Sequence, residues 1–113
     1  MNLTCEFTFD AAHKLEGYEG KCSNLHGHTY KLQVTVSGKV KENGMIIDFL
    51  ELDRIVKEQA LNYLDHSYLN EKIKNPTAEN IIIWIWKKLE KHLRLEELNL
   101  WETPTSFVSY NGK

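Results

Sequence analysis

The sequence predicts an α+β domain: a four-stranded antiparallel sheet with two helices on one face. Three observations carry that expectation. Two long stretches of alternating polarity open the chain, Leu3 to Ala11 and His28 to Val36. Two segments with helical spacing fill its middle, and two shorter alternations close it. At 113 residues the chain is long enough for one domain and too short for two. It is 42% hydrophobic and 27% charged, a balance that supports a real core.

In the first stretch Leu3, Cys5, Phe7, Phe9 and Ala11 alternate with Thr4, Glu6, Thr8 and Asp10, as in a strand with one buried face. His13 continues the apolar phase. Residues 14–25, with two glycines, several charges and an asparagine, read as a loop. His28, Tyr30, Leu32, Val34 and Val36 then alternate with Thr29, Lys31, Gln33 and Thr35 in a second strand, and His26 shares their phase. Glu42-Asn43-Gly44 signals a tight turn, after which Met45-Ile46-Ile47 is expected to return as a short paired strand.

Asp48 is the expected N-cap of a helix running to about Leu64, with Phe49, Leu52, Val56, Tyr63 and neighbouring Ile55 as its apolar stripe. Asn75-Pro76-Thr77 opens the second helix, with Thr77 as N-cap and Glu79 in the first turn. Ile82, Ile85, Trp86, Leu89 and Leu93 fall on one side. Ile81, Ile83 and Trp84 widen the apolar surface, so this helix is expected to pack on the sheet and on another element as well. Leu98 and Leu100 mark a further strand, Thr103-Pro104-Thr105 a turn, and Ser106 to Tyr110 the last strand. Such a sheet leaves two edges open, and open edges invite pairing. Oligomerisation edge to edge is therefore expected.

The formal net charge of −2 gives no basic footprint for nucleic acid. No apolar run is long enough to cross a bilayer, and the opening MNLTCEFTFD is not patterned as a signal peptide. The expectation is a cytoplasmic protein whose two cysteines, Cys5 and Cys22, are not joined in a structural disulfide.

The chemistry concentrates in His13, His26 and His28. A lone histidine on an apolar strand face is ordinarily a hydrogen-bonded core residue. His-x-His on a strand says more, because side chains at i and i+2 point the same way about 6–7 Å apart, a span two imidazoles can close on one metal. With His13 at the end of a neighbouring strand, three nitrogens can converge, and three imidazoles with an open fourth position suit a catalytic zinc. Cys22 is open to three readings: a fourth ligand closing a structural site, an inert loop thiol, or a reactive group facing a substrate. Glu102 shares the phase of Leu98 and Leu100, so its carboxylate either points inward, where it needs a partner, or lies beyond the strand in solvent. In Asp65-His66 a carboxylate can hold an imidazole's tautomer, although sequence neighbours need not touch.

The motifs FDAAHKL, CSNLHGH, GMIIDFLEL, LDHSYLN, NPTAEN and WET occur in that order from about Phe7 to Glu102. Together they resemble the 6-pyruvoyl-tetrahydropterin synthase and 6-carboxytetrahydropterin synthase family. The resemblance implies the tunnelling fold, in which three subunits close a barrel and two trimers commonly stack into a homohexamer. It implies zinc on His13, His26 and His28, a catalytic cysteine at Cys22, a catalytic Asp-His pair at Asp65 and His66, and a pterin-anchoring glutamate at Glu102. It implies a small-molecule pterin substrate, 7,8-dihydroneopterin triphosphate, with no nucleic-acid or membrane partner. Three residues, Ser23, Asn24 and Leu25, separate the cysteine from His-Gly-His, which is similar to the carboxytetrahydropterin synthases of queuosine biosynthesis. A pyruvoyl synthase is the alternative, and a non-catalytic, zinc-stabilised binding module is the alternative from another class.

Overall fold

A computed structural model describes residues 1–17 and 23–113. Cys22 lies outside the described residues. The two leading alternations form β1 (Asn2–His13) and β2 (His26–Ser37), paired antiparallel over their whole length from Asn2↔Ser37 to His13↔His26. β2 pairs with β4 (Leu95–Thr103), and β4 with β5 (Ser106–Tyr110). A fifth strand was not foreseen: β3, only Ser67–Tyr68, runs parallel to β1 at Ala11 and Ala12. The sheet order is β3-β1-β2-β4-β5. Two residues are too few to show alternation, so β3 has no periodic signature.

The expected strand at Met45-Ile46-Ile47 does not form. The Lys41 N–H donates to the Met45 carbonyl, and Gly44, at φ 84°, donates back to Lys41. The segment closes on its own turn, and the Ile46 side chain packs against Gly38, where an added methyl would lie 2.8 Å away.

Helix α1 (Phe49–Val56) starts where Asp48 caps it, its Oδ1 accepting from Leu50 N–H at 2.8 Å. The helix continues through a π-helical turn, Lys57–Leu61, into a last turn, Asn62–Leu64. A π turn inserts one residue into the helical register. The buried set therefore moves on by one position, to Ala60, Leu61 and Leu64, whereas the straight-helix stripe predicted Tyr63. Tyr63 is more than half exposed, as is Phe49 at the other end.

Helix α2 (Ala78–Leu89) carries the predicted cap, with Asn80 N–H donating to Thr77 Oγ1. It buries Ile81, Ile82, Ile85 and Leu89. It lies against β4, β5 and the π-helical turn, the double packing its broad apolar surface called for. One continuous core joins both helices to the inward phase of β1, β2 and β4, with Phe9 stacked on Tyr30 at 4.9 Å. Each fully buried Leu or Ile in it is worth roughly 1.5–3 kcal/mol. Among the described residues, no helix is long and apolar enough to cross a membrane.

Candidate metal centre and active site

The β1–β2 register places His13 directly opposite His26, and Ala11 opposite His28. Because i and i+2 share a face, all three imidazoles lie at one end of the core face. Their ligand nitrogens lie within 4.8 Å of one another. His13 is fully buried, while His26 and His28 are half-buried.

Hydrogen bonds fix the tautomers. His13 Nδ1 sits 2.7 Å from the Pro76 carbonyl, and His26 Nδ1 sits 2.7 Å from the Asn24 carbonyl. A carbonyl only accepts, so each Nδ1 carries the proton and donates it. Each Nε2 is then a bare lone pair, yet the two Nε2 atoms face each other at 2.9 Å. His28 Nε2 is buried with no hydrogen-bond partner. Glu102 Oε1 stands 3.5 Å from His13 Nε2 and 3.8 Å from His28 Nε2. Two bare Nε2 lone pairs and a carboxylate oxygen thus converge beside the partnerless His28 Nε2, an arrangement that suits a cation. Burial, only partly opposed by Glu102, pushes the His28 imidazole below its usual pKa, so it stays neutral and able to ligate. His13, His26 and His28 can hold a metal ion.

Glu102 points inward, which resolves the choice the sequence left open. It lies at an irregularity where Trp101 pairs with Phe107 and Thr103 with Ser106, making it the extra residue of a bulge. Bulges re-aim side chains and recur beside active sites.

Asp65 and His66 do touch, with His66 Nδ1 3.0 Å from Asp65 Oδ1. The pair is docked on β1: Asp10 N–H donates to Asp65 Oδ1 at 2.9 Å, and His66 N–H donates to the Asp10 carbonyl at 2.6 Å. The Asp10 amide, more than the His66 ring, holds the Asp65 carboxyl below its ordinary pKa. Asp10, Asp65 and His66 form a second cluster, separate from the three imidazoles. Asp10 and Thr29, hydrogen-bonded to each other, belong to the strand phases opposite His13 and His28. An open pocket of about 510 Å³ lies there, bordered by Asp10, Ala11, Ala12, Gly27, His28, Thr29, His66 and Ser67. Gly27 leaves room at its wall; a methyl there would approach the Ala11 carbonyl oxygen to 3.3 Å. The Asp10 and Thr29 side chains thus lie on the face opposite the imidazoles, while Asp65 and His66 sit at the β1 edge of the sheet.

Several partners were not singled out from the sequence: the Pro76 and Asn24 carbonyls, Asp10, and Tyr30, whose hydroxyl lies 3.3 Å from His13 Nδ1. Backbone carbonyls leave no residue-type signal, and the Asp10 contacts to Asp65 and His66 are made by its main chain.

A single-sheet α+β domain with three converging imidazoles and a docked Asp-His pair defines a small enzyme-type fold built around a metal-competent site. The chain belongs to the 6-pyruvoyl tetrahydropterin synthase family, whose profile matches residues 2–113. It is 39% identical over 138 aligned residues to a Haemophilus influenzae protein named 6-carboxy-5,6,7,8-tetrahydropterin synthase, covering 97% of this chain and 98% of that one. It is 44% identical over 101 residues to a Pyrococcus furiosus protein named dihydroneopterin monophosphate aldolase, covering 84% and 83%. The solved structure of Caenorhabditis elegans 6-pyruvoyl tetrahydropterin synthase matches it with a TM-score of 0.89 at 27% identity, over 100% of this chain and 96% of that one.

Proposed function

We propose that this chain is a zinc-dependent lyase that converts 7,8-dihydroneopterin triphosphate to 6-carboxy-5,6,7,8-tetrahydropterin, releasing acetaldehyde and triphosphate. The observation that carries the reading is the convergence of the bare Nε2 atoms of His13 and His26 with the partnerless Nε2 of His28. Their imidazole chemistry and buried setting fit zinc. Bound there, zinc supplies Lewis-acid stabilisation of the negative charge that develops on the substrate side chain.

The residues divide the remaining work. Glu102, whose carboxylate borders the imidazoles, accepts hydrogen bonds from the pterin ring's N–H groups and fixes its orientation. Cys22, as thiolate, removes a proton from a carbinol carbon. His66, held by Asp65, moves protons on the other side of the substrate. The imidazoles stand on the core face and the Asp65–His66 pair at an exposed sheet edge, which supports a substrate site assembled from neighbouring chains. A homohexamer closing its open sheet edges provides that assembly. The reading assigns the chain to queuosine biosynthesis in the cytoplasm.

The carboxy product is favoured over the pyruvoyl product by the three residues between Cys22 and His26 and by the mutual coverage with the Haemophilus relative. The test is product mass with 7,8-dihydroneopterin triphosphate as substrate and dihydroneopterin monophosphate as control. Carboxytetrahydropterin plus acetaldehyde from the triphosphate is expected. A diketone product would reassign the chain to the pyruvoyl reaction, and zinc-loaded protein inert toward both substrates would overturn the enzymatic reading.

A further inference from the structure

Among the described residues, two that are not glycine have positive φ: His66 at 58° and Asn75 at 47°. Such conformations persist only where the surroundings over-determine them, and they gather at functional sites. His66 already has a part in the proposed chemistry. Asn75, in the NPTAEN stretch, has none. It also precedes a proline, which narrows its backbone choices further.

Its surroundings do over-determine it. Asn75 Oδ1 accepts from Glu16 N–H at 3.1 Å. Its carbonyl accepts from Thr77 N–H at 2.8 Å and from Asn80 Nδ2 at 2.9 Å. Asn70 adds a two-point clamp on Lys14, accepting from its N–H at 2.9 Å and donating to its carbonyl at 2.7 Å. The backbone following His13 is thus fastened to Asn70 at Lys14 and to the Asn75 turn at Glu16. The residue after Asn75 is Pro76, whose carbonyl takes the His13 Nδ1 proton.

We propose that Asn75 is a positioning residue for the metal centre. By holding its turn against the segment that follows His13, it aims the Pro76 carbonyl at Nδ1 and keeps the proton off Nε2. Neutral imidazole has two tautomers, and the wrong one puts a hydrogen where the metal must bind. The helix cap does not demand this geometry, since Thr77 supplies the capping oxygen itself. The proposal rests on the reading of His13 as a metal ligand.

The test is zinc affinity of the full chain, by competition with a chromophoric chelator, alongside the melting temperature of the metal-free protein. The variants are N75A, N75G and N75D. Losing an outer partner of a metal-ligating histidine outright typically costs about 10–100-fold in affinity; N75A and N75G loosen that partner, the Pro76 carbonyl, without removing it, and a loss near the lower end, about 10-fold, is expected. N75D, which keeps an acceptor oxygen and tolerates positive φ, is expected to stay near wild type. Glycine adopts this φ freely, so N75G carries the test if N75A fails to fold. N75A and N75G binding zinc as tightly as wild type while merely melting lower would overturn the proposal, as would N75D losing as much affinity as N75G. Wild-type protein that takes up no zinc would overturn the site reading itself.

Discussion

The two histidine clusters are built on opposite principles. His13, His26 and His28 stand on the core face, from fully to half buried, with two of the rings locked by main-chain carbonyls. His66 is 78% exposed at the sheet edge, in a left-handed conformation with its N–H bonded to the Asp10 carbonyl. A metal ligand gains from burial and a fixed tautomer, because the metal must find bare lone pairs without rearrangement. The proposed proton-moving role needs access to substrate, and a ring exposed on a backbone-docked residue suits it. One cluster lies within the core and the other at its rim, docked on the edge of β1.

The sharpest way to break this contrast is H28A. Removing one of three ligands is expected to abolish both zinc retention and turnover, measured as metal per chain after dialysis and as product formed. H66A is expected to separate the two readouts: turnover falls about 10²–10⁴-fold, the usual worth of a general acid or base, while zinc content stays at the wild-type level. Zinc lost on H66A would mean that the clusters form one centre.

The smallest effect is electrostatic. The Asp65 carboxyl is held below its usual pKa, first by the Asp10 amide, whereas in the unfolded chain it titrates near about 3.9. Between the two values the unfolded chain binds more protons, so the contribution is fully present above the unfolded value and is lost as pH falls through the folded one. D65N keeps an acceptor for Asp10 N–H but carries no charge. The melting temperature of metal-free wild type is expected to exceed that of D65N near neutrality, with the gap closing below about pH 4.

Much of this was legible in the sequence because it is periodic. Alternation placed His13, His26, His28 and Glu102 on one face, and Asp48 and Thr77 marked both helix starts. What escaped was aperiodic or carried by the backbone. The π-helical turn shifted the buried stripe from Tyr63 to Leu64 with no residue to announce it. Strand β3 is too short to alternate, and Met45-Ile46-Ile47 was spent on closing its own turn. Asp65-His66 was readable as a pair, but its docking on the Asp10 main chain was not.

The central claim is that His13, His26 and His28 form an open catalytic zinc site and that Cys22 is a reactive group rather than a fourth ligand. It is tested most directly by measuring zinc content and turnover together on C22A. The account predicts wild-type zinc content with no product formed. A C22A protein that loses its zinc would contradict it and mark a closed structural site.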